Sequence, residues 1–593
     1  MNSTSEAPER RHHVHSADGT GIAVYEEGNP DGPTVVLVHG WPDSHVLWDG
    51  VVPLLADRFR VIRYDNRGVG GSDAPAPVSA YTMAHYADDF AAVSAAVSPD
   101  APVHVLAHDW GSVGVWEYLA RAESTTRVAS FTSVSGPSAD HLHRFAVTGL
   151  KRPYRPKAFA RAVDGLARLA YMGAFSTPVL APAAIRFAFA RGAMRRQLLR
   201  DGITPESIHH ADGFARDAAR SMKVYPANYF RSLSTGRTDH YVGVPVQLIV
   251  NTDDPFVRPY VFDAVAQWVP TLWRRDLKAG HWSPMSHPQV VARAVTELVD
   301  HLDGQPAARE LARARVGDSR PPFAHTLVSV TGAGDGIGRA TALEFASQGA
   351  EVVVSDIDLA GAERTARLIA AAGGTAHAYQ LDVADAEAVA RFAEQVCGAH
   401  GVPDILVNNA GVGHGGYFLD TPPDQYDRVL DINFGGVVNC CRAFTPAMVA
   451  RGTGGHIVNV ASMAAFTPIA AVNAYATSKA AVFMFSDCLR AELHSAAIGV
   501  TTLCPGVVKT GIVDRTRFDV PAAKRQGLDV KRAQAKRAFA ARGYGPEKVA
   551  RAVVAAVRGD KAVAPVTAEA HLAYGLARVA PAVLRRAARG RLL

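Results

Sequence analysis

Residues 103–111 read Val-His-Val-Leu-Ala-His-Asp-Trp-Gly, and a helical run from Val113 to Ala120 follows them. An apolar strand, a sharp turn and a helix in this order predict an elbow that exposes one reactive side chain, here Asp109. Most such elbows carry serine. A carboxylate at this point can attack carbon, displace a leaving group and form an ester that water must then hydrolyse. The stretch therefore indicates the opening of an epoxide or the removal of a halide.

A second stretch, Thr331-Gly-Ala-Gly-Asp-Gly-Ile-Gly338, lies between a predicted strand and a predicted helix. Glycines there let the backbone approach a pyrophosphate, and the helix N-terminus favours its charge. Asp356 ends the next strand, where a carboxylate can bind the ribose hydroxyls of NAD and repel the 2′-phosphate of NADP. Asp335, inside the loop, also offers no cation to such a phosphate. The stretch predicts NAD as the cofactor in preference to NADP.

Length and composition indicate a globular protein with more than one domain. A chain of 593 residues is too long for one core, and 48% apolar with 20% charged residues is typical of globular protein. The net charge of +6 is too small for this length to indicate nucleic acid. The cysteines show no metal-ligand spacing, so we expect no metal site, no disulfide framework and a cytoplasmic, reducing location. The N-terminus has no secretory pattern, and no apolar run suits a membrane-spanning helix.

Three further stretches of the first half carry candidate catalytic groups. The loop His39-Gly-Trp-Pro-Asp43 follows a strand and either aims backbone N–H groups at a developing negative charge or is only a tight turn. Asp253 and Asp254, two competing candidates for an acid, follow the strand 246–250. His281 lies later, in Gly-His-Trp. A neutral imidazole there would activate water, and a carboxylate beside it would hold its tautomer.

Taken together, His39-Gly-Trp-Pro42, Tyr64-Asp-Asn-Arg-Gly68 and His108-Asp-Trp-Gly111 resemble the α/β-hydrolase superfamily, most of all the epoxide hydrolases, over about residues 15–303. The resemblance implies an α/β fold with a mostly parallel sheet and a helical lid at about 137–240. The catalytic groups that it implies are Asp109 as nucleophile, Asp254 as acid, His281 as base, and the backbone N–H groups of Trp41 and Trp110 as oxyanion hole. Haloalkane dehalogenases remain an alternative, since they also carry Asp followed by Trp.

The lid departs from the epoxide hydrolase pattern at one position. Two lid tyrosines donate protons to the epoxide oxygen in that family, and Tyr171 matches the first. The second is expected at the position of Phe230, in Asn-Tyr-Phe-Arg231. Tyr229 or Tyr225 could substitute, one donor could suffice, or the site could do something else.

The lid is also rich in arginine and lysine interleaved with apolar residues, as in the run 151–200, and the tail 571–593 repeats this pattern. Such helices suit either an anionic membrane surface or a solvated face on which arginines cover apolar neighbours. The membrane interpretation favours hydrophobic, lipid-like substrates.

The second half resembles the short-chain dehydrogenases over about residues 323–570, with a Rossmann fold implied. The matching residues, in chain order, are Gly332, Gly336, Ile337, Gly338, Asp356, Asp382, Asn409, Ala410, Gly411, Asn433, Ser462, Tyr475, Lys479, Pro505, Gly506 and Thr510. Tyr475 and Lys479 share a helix face, so the lysine should lower the pKa of the phenol that takes the substrate proton. The family implies that Ser462 binds the substrate oxygen, that Asn433 holds a water of the proton relay, and that the protein forms homo-oligomers.

The sequence therefore predicts a bifunctional enzyme that resembles fused actinobacterial epoxide hydrolase–dehydrogenases. The expected parts are a flexible N-terminus (1–14), a hydrolase domain (15–303), a linker (304–322), a dehydrogenase domain (323–570) and a basic tail (571–593). Epoxide hydrolysis through an aspartyl ester would accompany NAD-dependent alcohol or ketone oxidoreduction on small molecules. In the alternatives, the first half is a binding or membrane-targeting module, or a dehalogenase.

Overall fold

The computed structural model describes residues 10–234, 241–509, 515–519 and 544–588. The chain divides into two compact units, Met1–Asp318 and Ser319–Leu593. Each unit is built around its own sheet, and each is described by itself.

The first unit contains one eight-stranded sheet in the order β1-β2-β4-β3-β5-β6-β7-β8. The pairs β1–β2 and β2–β4 are antiparallel, and the other neighbours are parallel. Its strands are β1 Arg10–His15, β2 Gly21–Gly28, β3 Thr34–Val38, β4 Arg60–Tyr64, β5 Val103–His108, β6 Val128–Val134, β7 Val246–Asn251 and β8 Leu272–Leu277. The central strands are nearly continuous apolar runs because helices cover both faces of a parallel sheet.

Helices of the first unit follow the strands and pack on both faces, where two apolar clusters form its core. They are α1 Val52–Leu55, α2 Met83–Val97, α3 Asp109–Leu119, α4 Ser124–Arg127, α5 Ala139–Leu150, α6 Pro156–Arg168, α7 Ala170–Phe175, α8 Leu180–Ala190, α9 Ala193–Arg200, α10 Phe214–Ser221, α11 Val224–Ser234, α12 Ser283–Ser286, α13 Pro288–Leu302 and α14 Arg309–Ala314. Those from α5 to α11 interrupt the alternation of strand and helix between β6 and β7 and form the lid.

The second unit contains a seven-stranded, all-parallel sheet in the order β11-β10-β9-β12-β14-β15-β17 and a two-stranded sheet, β13-β16. Its strands are β9 Leu327–Thr331, β10 Glu351–Asp356, β11 Thr375–Gln380, β12 Ile405–Asn408, β13 His414–Gly416, β14 Gly455–Val460, β15 Ile498–Cys504, β16 Arg517–Asp519 and β17 Val563–Pro565. The sheet order turns around β9, so the glycine loop that follows β9 opens at the carboxyl edge where α/β folds bind nucleotides.

Helices again cover both faces of this sheet, and two apolar clusters lie beneath them. They are α15 Gly336–Ser347, α16 Leu359–Ala371, α17 Ala386–His400, α18 Pro423–Leu430, α19 Gly436–Arg451, α20 Asn473–Glu492, α21 Pro546–Arg558, α22 Ala568–Val579 and α23 Pro581–Ala587. A π-helical turn, Asp431–Gly435, joins α18 to α19. The predicted fold class, two α/β units with mostly parallel sheets, is confirmed.

The ends of the expected parts differ from the structure in three places. Residues 10–14 are not a flexible N-terminus, because Arg10–His15 pairs with β2 as an edge strand. The predicted linker includes α14, whose Leu311 is fully buried against Trp273 and Leu298. The predicted tail begins inside α22, where Tyr574 packs against Phe466 and Phe483. In each case charged residues suggested solvent, whereas a few apolar ones attach the segment to the core.

Candidate active sites

The elbow forms as the sequence predicts, with Asp109 at the junction of β5 and α3. Its backbone adopts the left-handed region at φ 48°, which is unusual for a residue other than glycine. Close packing around the turn depends on glycines, since a Cβ at Gly111 would overlap the His39 carbonyl and a Cβ at Gly136 would overlap the Asp109 carbonyl. These contacts hold the carboxylate in a fixed position at the carboxyl end of the sheet.

Two backbone N–H groups reach the Asp109 carboxylate. The N–H of Trp41 donates to Oδ2 over 3.0 Å, and the N–H of Trp110, at the start of α3, also donates to the carboxylate. Gly40 permits this approach because a Cβ there would lie 2.6 Å from Oδ2. The pair is therefore suited to stabilise negative charge on an oxygen bonded to the Asp109 carbonyl carbon.

The other two members of the predicted triad lie at the ends of β7 and β8. His281 Nδ1 contacts Asp254 Oδ2 at 2.8 Å, and His281 Nε2 lies 3.6 Å from Asp109 Oδ1. The second oxygen of Asp254 accepts the N–H groups of Phe256 and Val257 at 2.7 and 3.0 Å. Asp253 is not in this network, so the structure brings together Asp109, His281 and Asp254.

The electrostatics of the triad are coupled. Burial raises the pKa of Asp109, and the neighbouring His281 only partly opposes this. Burial also acts against the charge of Asp254, but the charge and hydrogen bond of His281 outweigh it and lower the Asp254 pKa. The pKa of His281 is raised to about 9, because Asp254 and then Asp109 outweigh its burial. The arrangement favours an imidazolium between two carboxylates before any reaction.

An aromatic cluster of the lid lies above the elbow. The Tyr225 ring is 5.2 Å from the Trp41 ring, 5.5 Å from the Trp110 ring and 6.0 Å from the Tyr171 ring. Tyr171 and Tyr225 are hydrogen-bonded to each other, and Tyr225 also bonds to the Trp110 indole. Burial is the main cause that raises the pKa of both phenols, and the charge of Asp109 is a smaller cause in each, so each is a protonated donor at neutral pH.

The structure distinguishes between the candidate second donors. Tyr225 lies in the first turn of α11 and is buried in the cluster. Tyr229, one turn later, points its hydroxyl at Gly173, where a Cβ would lie 3.3 Å away. The side chain of Phe230 lies outside the described residues. Tyr225, rather than Tyr229, is the second phenol beside Tyr171.

The glycine loop of the second unit has the geometry that the sequence predicts. Gly332 and Gly336 have positive φ values of 62° and 57°. A Cβ at Gly332 would lie 2.7 Å from the Ala410 Cα, and one at Gly338 would overlap the Gly332 carbonyl. Helix α15 begins at Gly336, which places Ile337 in its first turn. This close-packed cradle at a helix N-terminus fits the pyrophosphate of a dinucleotide.

Asp356, at the end of β10, contacts the same loop, and its Oδ2 accepts the N–H of Gly334 over 2.8 Å. Asp382 lies in the turn after β11, where its Oδ1 accepts the Ala384 N–H. Asn409 donates its side-chain amide to the carbonyls of Thr331 and Gly332 at 3.0 and 3.1 Å. Ala410 donates its backbone N–H to the Thr331 hydroxyl over 3.1 Å. The carboxyl edges of β9 to β12 are therefore joined into one rim.

The predicted dehydrogenase side chains lie further along this edge. Ser462 follows β14, and its side chain hydrogen-bonds Tyr475. Lys479 lies one turn after Tyr475 on α20, is buried, and donates from Nζ to the Val460 carbonyl over 2.8 Å. Asn433, on the π-helical turn, exchanges two hydrogen bonds with the Val412 backbone and donates to the Ser478 hydroxyl. Ser462, Tyr475, Lys479 and Asn433 thus line one edge of the second sheet.

The expectation that Lys479 lowers the pKa of the Tyr475 phenol was wrong. Burial raises the pKa of Tyr475, and the Ser462 hydrogen bond only partly opposes this. Burial lowers the pKa of Lys479 to about 8. The net shift of the phenol is therefore upward, because desolvation of a phenolate outweighs its hydrogen bond.

The loop after β15 completes the edge. The Pro505 carbonyl accepts the N–H of Met463, which follows Ser462. A Cβ at Gly506 would lie 2.8 Å from the Glu569 carboxylate and would overlap the Thr567 hydroxyl. A Cβ at Gly411 would lie 3.0 Å from Asn433 Oδ1 and 3.4 Å from Lys479 Nζ, so Gly411 lies beside both side chains. Thr510 lies outside the described residues.

Both units of the chain are similar to known proteins. The sequence pattern of the alpha/beta hydrolase fold matches residues 33–288, and that of the short chain dehydrogenases matches residues 326–520. "Probable oxidoreductase EphD" of Mycobacterium tuberculosis is 61% identical over 583 residues, covering 98% of both chains. The chain belongs to the family that fuses an α/β-hydrolase to a short-chain dehydrogenase.

Other similar proteins match the dehydrogenase half of this fusion. "Epidermal retinol dehydrogenase 2" of Homo sapiens is 37% identical over 207 residues, which are 34% of this chain and 67% of that protein. A crystal structure of "a short chain dehydrogenase/reductase SDR from Burkholderia phymatum in complex with NAD" is 31% identical. It covers 46% of this chain and 99% of that chain, with a TM-score of 0.41.

The sequence analysis assigns no role to two groups of charged residues that lie beside the candidate sites. Asp43, the last residue of the loop His39–Asp43, is buried and accepts the Trp282 indole N–H over 3.0 Å. Burial raises the Asp43 pKa to about 7, and its charge helps to raise the His281 pKa. Arg339 follows the last loop glycine, contacts the Gly334 carbonyl and lies 3.6 Å from Asp335. Arg515 lies 3.1 Å from the same carboxylate.

Proposed function

We propose that the first unit opens epoxides through an ester on Asp109. The observation that carries the proposal is the triad, with His281 2.8 Å from Asp254 and 3.6 Å from Asp109. One Asp109 oxygen attacks an epoxide carbon, the carbon–oxygen bond breaks, and the released alkoxide takes a proton. Water then attacks the ester carbonyl, which returns the Asp109 carboxylate and releases a diol.

Tyr171 and Tyr225 would supply the proton for the first step. An alkoxide is a poor leaving group without a donor, and burial, with a smaller effect of the Asp109 charge, keeps both phenols protonated. Both phenols belong to the aromatic cluster of the lid, where their ring centres lie 6.0 Å apart. Tyr225 would thereby take the place of the tyrosine that the epoxide hydrolase pattern has at position 230.

His281 would act as base in the second step. Forming the ester removes the charge of Asp109, which is one cause of the raised His281 pKa. The imidazole therefore loses its proton more easily once the ester exists, when a neutral base is needed. Asp254 would keep Nδ1 protonated, and the N–H groups of Trp41 and Trp110 would bind the oxyanion.

For the second unit we propose oxidoreduction of an alcohol or ketone. A bound nicotinamide cofactor would exchange hydride with the substrate carbon. Tyr475 would take the hydroxyl proton, Ser462 would hold the substrate oxygen, and Asn433 would hold a relay water. Lys479 keeps a positive charge close to the proton path, because its pKa of about 8 leaves it mostly protonated at neutral pH.

We propose NAD rather than NADP as the cofactor. Asp356 ends β10 and accepts the Gly334 N–H, where its carboxylate would bind the ribose hydroxyls and would repel a 2′-phosphate. Arg339 and Arg515 lie beside the loop and could attract such a phosphate, but both are paired with Asp335. A steady-state comparison tests this: kcat/KM should favour NAD, and a preference for NADP would show that Arg339 is available to the phosphate.

We further propose that the first unit acts on a hydrophobic substrate and that its lid contacts a membrane surface. Val179, which precedes α8, and Leu180, its first residue, are 79% and 72% exposed, and Tyr154 and Phe187 are also exposed. The Arg191 guanidinium lies 3.9 Å from the Phe187 ring centre. Within the described residues no single helix qualifies as a membrane span, while one bent pair does by length and composition, Pro156–Phe175 with Leu180–Ala190. Apolar tips beside arginines suit the surface of an anionic bilayer.

We also propose a reducing location, in which the five free cysteines would stay unpaired, namely Cys397, Cys440, Cys441, Cys488 and Cys504. We also propose that the dehydrogenase unit forms homo-oligomers, as its family implies. Light scattering after size exclusion measures this directly, and a monomer at every concentration would contradict it.

Trapping the ester tests the proposed hydrolase. The His281→Gln variant should still attack an epoxide but should not release the diol, so the peptide carrying Asp109 should gain the mass of the substrate. Asp109→Asn is the matched control and should gain none. Absence of any adduct with epoxides and haloalkanes would favour a binding or membrane-targeting module, and halide release would favour a dehalogenase.

A further inference from the structure

Three side chains that no function above uses meet at the edge strand of the second sheet. Glu351 is the first residue of β10, His377 lies on the edge strand β11, and His400 is the last residue of α17. The register pairs Val353 with His377, so Glu351 and His377 are diagonal neighbours on one face of the sheet. The three residues come together only through the fold.

Their ligand atoms are close enough to share one ion. One nitrogen or oxygen from each residue lies within 4.8 Å of the other two. His377 Nε2 is 2.8 Å from Glu351 Oε1, and His400 Nδ1 is 4.0 Å from the same oxygen. The two imidazole rings are stacked with their centres 3.8 Å apart. Ligand atoms bound at about 2.0–2.2 Å in a tetrahedral shell lie about 3.4 Å apart, so His400 Nδ1 would approach Glu351 Oε1 by about half an ångström and His377 Nε2 would move away from it by about as much.

Tyr379 orients one of the imidazoles. Its hydroxyl lies 2.7 Å from His400 Nε2. When Nε2–H donates to this oxygen, the lone pair of Nδ1 faces Glu351, which is how partners of a metal-bound histidine commonly fix its tautomer. The Tyr379 ring also packs against Phe392 of α17, with ring centres 5.4 Å apart. The supporting contact is therefore itself held in place.

We propose that Glu351, His377 and His400 form a site for a divalent ion of the Zn²⁺ type. Two imidazoles and one carboxylate suit Zn²⁺, whereas Ca²⁺ and Mg²⁺ prefer oxygen ligands. The side chains are 25%, 30% and 14% exposed, so water can complete a four-coordinate shell. The ion would connect the edge strand β11 to β10 and to the end of α17.

The site is separate from the cofactor loop. Glu351 begins β10 and Asp356 ends it, and five residues of strand span about 16 Å. The ion would therefore stabilise the fold of the dehydrogenase unit at the amino edge of the sheet, away from the proposed chemistry. Sequence inspection could not find it, because its ligands are far apart in the chain and follow no metal-binding spacing.

Titration of the full-length protein with Zn²⁺ alone tests the proposal. The chain has 23 histidines, so the decisive quantity is the difference between wild type and His377→Asn with His400→Asn. The wild type should bind one more equivalent and gain a few degrees in Tm on adding Zn²⁺. Tyr379→Phe should weaken that site about ten-fold. Co²⁺ should give the visible absorption of a four-coordinate ion only when all three ligands are present.

The matched control is His571→Asn, which removes an exposed histidine of the same unit and should change nothing. Glu351→Gln keeps the shape of the site and should lose the extra equivalent while the metal-free Tm stays unchanged, which guards against misfolding of the histidine variants. Equal stoichiometry in wild type and variants, or an equal Zn²⁺ effect on Tm in all of them, would mean an adventitious ion only and would overturn the proposal.

Discussion

At the scale of single residues, the reactivity of Asp109 is set by what surrounds it. Burial alone would favour its neutral acid, and His281 together with two backbone N–H groups opposes this. When it is ionised, a carboxylate in an apolar site is more nucleophilic than one solvated by water. The same partners then serve the ester, so one arrangement supports both proposed steps.

Tyr225 gives the sharpest prediction at this scale. Tyr225→Phe and Tyr171→Phe should each lower the rate of alkylation of Asp109 by about 10²-fold, because each removes a proton donor to the epoxide oxygen. Tyr229→Phe, the matched control on the next turn of α11, should change the rate little. Rapid quenching and mass analysis of the Asp109 peptide measure this step alone. A large loss in Tyr229→Phe with none in Tyr225→Phe would reverse the assignment.

Asp254 should control the pH dependence of ester hydrolysis. Its charge is the largest cause that raises the His281 pKa, so Asp254→Asn should lower that pKa. Because the base must be neutral, the acid limb of the hydrolysis rate should move to lower pH. The rate itself should fall by about 10³-fold, since the imidazole loses its orienting partner. An acid limb that stays in place, measured by single-turnover kinetics across pH, would show that another group titrates.

Residues within short motifs were the ones that sequence could identify. Asp109, His281 and Tyr475 lie in local patterns whose chemistry can be interpreted before any fold is known. From sequence, Tyr225 is one of two candidate replacements for the second lid tyrosine, because its contacts with Trp41 and Trp110 come from distant parts of the chain. The pKa of Tyr475 is raised, whereas the sequence predicts that it is lowered, because burial, which is a property of the fold, outweighs the hydrogen bond of Ser462.

At the scale of elements, both proposed sites depend on turns in which glycine lets two pieces of backbone touch. Gly338 shows this in the second unit, where α15 packs so tightly on the strand turn that a Cβ would overlap the Gly332 carbonyl. Gly111 allows the same close packing at the elbow, where a Cβ would overlap the His39 carbonyl. Each strand–turn–helix is thus one rigid piece that carries its reactive edge.

Gly338→Ala should therefore damage cofactor binding more than it damages the fold. Overpacking of this kind costs about 1–3 kcal/mol, and the helix must shift away from the loop. We expect a large rise in KM for NAD with a modest fall in Tm. Gly398→Ala is the matched control, since no atom lies within 4 Å of the added Cβ. Unchanged NAD binding in Gly338→Ala, measured by calorimetry, would contradict this reading of the loop.

Elements with strong apolar runs were predictable, and elements at the margins were not. The runs that became β3, β5, β9 and β10 are continuous and match buried parallel strands. Strand β1 is rich in histidine and arginine, and it forms because an edge strand needs few buried side chains. The sequence predicts a linker at α14 and a tail from within α22, because each helix has only two buried residues among charged neighbours. These residues are Leu311 and Ala314 in α14, and Ala570 and Ala573 in α22.

At the scale of the whole molecule, the fusion suggests that the diol from the first unit is the alcohol for the second. Supplied with an epoxide and NAD, the purified protein should form diol and then NADH. Asp109→Asn should remove both products, while Tyr475→Phe should let diol accumulate without NADH. Adding the diol directly should restore NADH in Asp109→Asn. Diol without NADH in the wild type would show that the two activities act on different substrates.

A single turnover in ¹⁸O-labelled water shows directly whether Asp109 forms a covalent bond to the substrate. With enzyme in excess over epoxide, we expect an unlabelled diol and one ¹⁸O atom in the peptide that carries Asp109, because water attacks the ester carbonyl rather than the epoxide carbon. Label in the diol and none in Asp109 would mean that water attacks the epoxide directly and that no ester forms on Asp109.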